Sequence, residues 1–107
     1  MDDPECDRLV IAVQRCAGVS VVHVWGEVER DNADELRRTV VEAASVAGVV
    51  RVEVDVSAVP FVDAAALTAL ERAADAAPAD VDLLVTGAQP VVRRVLAFSY
   101  LGGTYRR

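Results

Sequence analysis

The sequence predicts an α/β domain on a single small mixed β-sheet, with elements in the order β-β-α-β-α-β-α and the helices packed mainly on one face. Three observations carry this reading. Residues 49–56 run Val-Val-Arg-Val-Glu-Val-Asp-Val, the two-residue alternation of a half-buried strand. Residues 33–47 and 64–77 repeat apolar side chains at helical spacing. Each of these helical stretches lies between two strand-like segments, which implies parallel pairing with right-handed crossovers. At 107 residues the chain has room for one domain with its own core.

Each element follows from local signals. Residues 1–8 are acidic and contain Pro4, and read as a lead-in to a domain spanning 9–103, with 104–107 as a tail. Leu9 to Gln14 forms a first strand, Arg15 to Gly18 a turn, and Val19 to Trp25 a second strand ending at Gly26, together a hairpin. After a polar patch, Asp31 or Asn32 caps a helix from Ala33 to Ala47. Leu36, Val40, Ala43, Ala44 and Ala47 share its buried face, and Gly48 stops it. In the third strand Val50, Val52, Val54 and Val56 point one way, and Ser57 to Pro60 breaks the pattern. Asp63 caps a helix from Ala64 to Ala77 with Leu67, Leu70 and Ala74 inward, and Pro78 ends it. Val81 to Thr86 is a short strand ending at Gly87. Pro90 opens a last helix with Val92, Val95, Leu96 and Ser99 near one face, closed by Gly102-Gly103.

The bulk chemistry narrows the function. A net charge of −6 argues against nucleic-acid binding and against docking on anionic membranes. All eleven basic residues are arginine, which removes any lysine-dependent chemistry such as a P-loop or a Schiff base. Cys6 and Cys16 have no metal-ligand spacing, and a disulfide between them stays open. With neither a signal-like segment nor a membrane-length apolar run, the cytoplasm is the expected location.

Four landmarks in order resemble the STAS domain family of anti-sigma factor antagonists: Gly26-Glu27 after the second strand, Val54-Asp55-Val56-Ser57, Phe61-Val62-Asp63 followed by Leu67, and Val91-Val92-Arg93-Arg94-Val95-Leu96. The resemblance extends from Leu9 to about Gly102. It implies a binding domain whose partner is an anti-sigma factor of the serine-kinase type, with a phosphoacceptor serine in the first turn of the helix capped by Asp63. Here Ala65 stands at the phosphoacceptor position, Ala64 at the neighbouring hydroxyl position and Ala66 at a glycine position. Alanine has no oxygen to phosphorylate, so the resemblance implies recognition without this switch. Alanine also stiffens the first helical turn relative to glycine by about 1 kcal/mol.

By the same resemblance, the partner-binding surface comprises Glu27, Glu29, Arg30, Asp31, Ser57, Phe61, Asp63, Ala64, Ala65, Ala66 and Thr68. Simpler roles stand beside these: Asp63 as a helix cap, Ser57 as a turn residue, Thr68 as an exposed helix threonine or a substitute acceptor. Asp55 is a turn residue or, with Asp63, half of a weak metal pair. His23 and Trp25 share one strand face, where Trp25 is a sheet aromatic or a partner contact. No catalytic residue, metal site or cofactor is expected, because no nucleophile–base pair can be assembled. Two other functions remain open: an accessory subunit of a transporter or signalling complex, and a small-ligand or nucleotide sensor. A homodimer is also left open.

Overall fold

Alternating valines become a four-stranded sheet in the spatial order β1-β2-β3-β4. The computed structural model describes residues 9–97. Its elements are β1 (Val10–Cys16), β2 (Val19–Trp25), α1 (Ala33–Ala44), β3 (Arg51–Ala58), α2 (Ala64–Ala76), β4 (Asp82–Thr86) and α3 (Pro90–Leu96). β1 and β2 are antiparallel, while β2, β3 and β4 are mutually parallel, so the sheet is mixed as the sequence predicts.

The hairpin turn is tighter than expected. Cys16 pairs with Val19, leaving only Ala17-Gly18 as the loop, with φ of +50° and +86°. Positive φ at both central residues matches the right-handed twist of the flanking strands, and it lets β1 run two residues beyond Gln14. Ala17 bears the steric cost of this conformation, about 1–2 kcal/mol.

One face of the sheet is dry. Val22 and Val24 of β2, Val52, Val54 and Val56 of β3, and Leu83 and Val85 of β4 join a single core with the helices. α1 contributes Leu36, Val40, Ala43 and Ala44, lies across β1, β2 and β3, and packs along α2. α3 adds Val92 and Leu96, with Pro90 in its first turn. The opposite face carries Val21, His23, Arg51, Glu53, Asp55, Leu84 and Thr86, all partly or fully exposed. Among the described residues no helix is long and apolar enough to cross a membrane.

Several boundaries differ from the sequence reading. α1 ends at Ala44 rather than Ala47: Ser45 is its C-cap, with its N–H shared between the Val41 and Glu42 carbonyls and its hydroxyl donating to the Val41 carbonyl at 2.8 Å. Ala47 is therefore exposed, and Gly48, with φ +89°, serves the following loop. Asn32 occupies the N-cap position of α1, one of the two caps the sequence offers, but its side chain bonds back to Glu29 and Glu27 and makes no capping hydrogen bond. Val50 is 59% exposed instead of buried, since its N–H is tied to the Gly18 carbonyl and β3 begins only at Arg51. β3 then continues through Ser57 to Ala58, where one extra residue on β3 between Asp55 and Ala58 shifts the register so that Trp25 pairs with Ala58.

The buried face of α2 is also rotated. Ala66, Ala69, Leu70 and Ala73 point inward, with Leu67 and Ala74 half-buried at the flank. Three of these four inward residues are alanine, and side-chain size at a contact sets how closely two elements approach. Residues 1–8, Ser99, Gly102-Gly103 and the tail at 104–107 lie outside the described residues.

Ser20 is the exception in the apolar core: it is fully buried, and its hydroxyl has no hydrogen-bond partner among the described residues. Desolvating an unpaired hydroxyl costs about 1–3 kcal/mol. Ser20→Ala is expected to leave stability unchanged or raise it by about 1 kcal/mol, seen as a higher urea midpoint at unchanged slope.

Candidate functional site

The loops that follow the parallel strands gather at one end of the sheet, where open α/β sheets commonly place their binding surfaces. The loop after β2 is knitted by Asn32, whose Oδ1 accepts from the Glu29 N–H at 2.8 Å and whose Nδ2 donates to the Glu27 carbonyl at 3.0 Å. The Ala33 N–H donates to the Glu29 carbonyl at 2.8 Å, leading the chain into α1. Glu27, Glu29, Arg30 and Asp31 are thus exposed on an ordered loop.

A parallel bridge between Val28 and Val62, both buried, ties this loop to the segment before α2. Phe61 beside it is 46% exposed. Asp63 adopts extended backbone and its Oδ1 accepts from the Ala66 N–H at 2.9 Å, the N-cap the sequence predicts. Ala64 is exposed, Ala65 half-buried and Thr68 exposed, all within the first two turns of α2.

Ala66 departs from the expected partner surface. It is fully buried, so it packs inward and offers a partner no area. The helix phase explains this: Ala66, Ala69, Leu70 and Ala73 form the inward stripe, and Ala64 and Thr68 lie on the opposite side.

Ser57 faces the loop after β4. Its carbonyl accepts from Gln89 Nε2 at 3.0 Å, and Gly87, at φ +74°, approaches so closely that an added Cβ would stand 3.0 Å from the Ser57 Cβ. This close approach requires glycine at 87.

A groove runs between the first turns of α1 and α2, with a volume of about 360 Å³. Arg30, Arg37, Arg72, Ala64, Ala65 and Thr68 line it, with Ala33, Asp34 and Ala69. Asp34 accepts from Arg37 Nε at 2.8 Å and lies 3.3 Å from Arg38 Nε. The Arg37 hydrogen bond holds the Asp34 carboxyl below its ordinary value. Arg37, Arg72 and Asp34 were not legible as site residues, because the pairing of the two helices is what brings them to Ala64 and Ala65.

The open sheet face holds a second polar constellation. His23 Nδ1 lies 3.2 Å from Asp55 Oδ2, and His23 Nε2 lies 3.1 Å from Gln14 Oε1. The Trp25 ring stacks on His23 at 5.9 Å between centroids. The Asp55 side chain also accepts from the Ser57 N–H at 3.0 Å. Partial burial pushes the Asp55 carboxyl up, but the hydrogen bonds from Ser57 and His23 outweigh it and hold the carboxyl below its ordinary value of 3.8. Asp55 thus serves the sheet face and Asp63 the helix cap, and no metal-holding group of three ligands forms among the described residues. The register pairing His23 with Asp55 would have revealed their contact, had it been readable from sequence. Cys16 is an exposed free thiol on β1, and Cys6 lies outside the described residues.

A family model described as "Mlab, STAS domain" matches residues 11–104. An anti-sigma factor antagonist from Mycobacterium paratuberculosis is 25% identical, with a TM-score of 0.78 over 92% of this chain and 84% of that one. The anti-sigma factor antagonist SpoIIAA in its unphosphorylated form is 18% identical, with a TM-score of 0.74 over 91% of this chain and 86% of that one. The murine anion transporter Slc26a9 is 20% identical with a TM-score of 0.69, covering 81% of this chain but 14% of its own. No curated protein matches the sequence.

Two outcomes check the site's electrostatics. Asp63→Ala is expected to cost about 1 kcal/mol of stability by urea denaturation, through loss of the cap. A carboxyl depressed in the folded state stabilises above its unfolded value, and that contribution is lost as pH falls through the folded value. The stability gap between wild type and Asp55→Asn is therefore expected to be full above about pH 5 and to close as pH falls below the ordinary 3.8.

Proposed function

The chain belongs to the STAS domain family, and we propose that it acts by binding a regulatory protein in the manner of an anti-sigma factor antagonist. The surface assigned to this role joins the Glu27–Asp31 loop to Phe61, Asp63, Ala64, Ala65 and Thr68, with Ser57 at its margin. The carrying observation is the start of α2: an Asp63-capped helix presents Ala64 and Ala65 beside the ordered loop, bridged to it by Val28 and Val62. Overall similarity to an anti-sigma factor antagonist supports the same reading.

The physics favours constitutive recognition. A phosphate in the first turn of α2 would add nearly two negative charges in the middle of a docking surface, so modification there would repel and desolvate a partner. Ala64, Ala65 and Ala66 offer no acceptor oxygen. The partner under this reading is an anti-sigma factor of the serine-kinase type, the setting is the bacterial cytoplasm, and the domain is a binder rather than an enzyme.

A second reading, as an accessory subunit or scaffold of a transporter or signalling complex, draws support from the likeness in fold to part of the murine anion transporter Slc26a9. Partner identity separates the two: an ATPase subunit in place of an anti-sigma factor would favour the second.

Co-purification with serine-kinase anti-sigma factors from the same genome tests the main reading. A complex is expected whether or not ATP is present, with no phosphate on the wild-type chain by intact mass. Ala65→Ser is expected to gain one phosphate and to leave the complex when ATP is added. Absence of any complex overturns antagonist function, and phosphate on the wild-type chain overturns the loss of the switch.

A further inference from the structure

We propose that the groove between α1 and α2 is a docking site for an acidic segment of the partner protein, its carboxylates taken by Arg30, Arg37 and Arg72; this deepens, and rests on, the binding reading above.

The charge of the groove is opposite to that of the chain. Its lining holds three guanidinium groups and one carboxylate, a local surplus of two positive charges in a chain whose net charge is −6. The single carboxylate, Asp34, is already engaged by Arg37 and by Arg38 from outside the groove. Arg30 and Arg72 form no ion pair among the described residues. Their charges are left for a partner.

The placement of the three suits an extended occupant. Arg30 precedes α1, Arg37 lies on its second turn and Arg72 two turns into α2, so the cations come from separate positions on both walls. A small anion held by one guanidinium would leave the others unused, whereas successive carboxylates of a peptide can engage each. The planar guanidinium fork matches a carboxylate in two parallel hydrogen bonds, which favours arginine over a point charge for this task.

The floor suits a close approach. Ala33, Ala64, Ala65 and Ala69 present only methyl groups, so a partner backbone can settle between the arginines. Thr68 adds an exposed hydroxyl as a neutral hydrogen-bonding group. The acidic residues of the neighbouring loop, Glu27, Glu29 and Asp31, do not line the groove.

The test needs no natural partner. The isotope-labelled full chain is titrated with end-capped hexaglutamate, and in parallel with inorganic phosphate and end-capped hexalysine, by two-dimensional NMR. Hexaglutamate is expected to move the amide signals of residues 30–37 and 64–72, with weaker binding as salt is raised. The Arg30→Gln/Arg72→Gln variant, whose changed side chains are exposed, is expected to keep the wild-type spectrum elsewhere and bind about fivefold more weakly or less. No shifts in the groove, equal binding by the double variant, equal shifts with hexalysine, or equal shifts with phosphate alone would each overturn the proposal. Since no anti-sigma factor is present, failure of co-purification leaves this result standing. Conversely, a natural partner captured equally by wild type and the double variant would overturn the groove and keep the binding function.

Discussion

Parallel pairing of β2 with β3 does not stop where the strands stop. After β2 the chain rejoins the segment beyond β3 through the Val28–Val62 bridge, and both valines are buried there. This brings the loop before α1 against the loop before α2. The two helices then start side by side, pack along each other, and leave the groove between their first turns. Arg30 meets Ala64 and Ala65 through this bridge and this helix pairing, although more than thirty residues separate them. Disturbing the bridge would move the loop and the start of α2 relative to each other, and with them every residue assigned to recognition.

Alanine carries two separate roles in α2. On the inner side, Ala66, Ala69 and Ala73 are buried in the core, where larger side chains would overpack it. On the outer side, Ala64 and Ala65 leave the groove floor without polar groups. The composition of residues 64–66 reads as one uniform stretch, but the helix phase divides it: Ala64 is exposed, Ala65 half-buried and Ala66 fully buried. A change of side chain at 66 is therefore felt in the core, and one at 64 is felt at the surface.

The element order and the mixed sheet were legible because each rests on local signals. Alternation marked β3, Asp63 marked the start of α2, and Pro78 and Pro90 marked a helix end and a helix start. What escaped is set by tertiary contacts. α1 stops at Ala44, three residues before Ala47, with Ser45 as its C-cap, and the Ala17-Gly18 turn lengthens β1. His23 and Asp55 are thirty-two positions apart, and only the register of β2 on β3 makes them neighbours. Register between strands joined by a helical crossover is chosen by core packing, on which the side-chain pattern of either strand alone is silent. The same holds for Arg37 and Arg72, which look like ordinary solvated helix residues until α1 and α2 are laid together.

Net charge and local charge answer different questions for this domain. The overall excess of acid governs long-range behaviour and disfavours polyanions at a distance. At physiological salt the field of each surface charge decays over about 8 Å, so a group entering the groove responds chiefly to the guanidiniums around it. Arginines beside the start of α2 would also meet a phosphate on residue 65, partly neutralising it and drawing it onto its own domain. With alanine at that position the arginines have no such internal claimant. Under the proposed binding role, alanine at 65 and the absence of an ion pair at Arg30 and Arg72 among the described residues act together: the groove's positive charge is open to a partner rather than claimed by a group on the same domain.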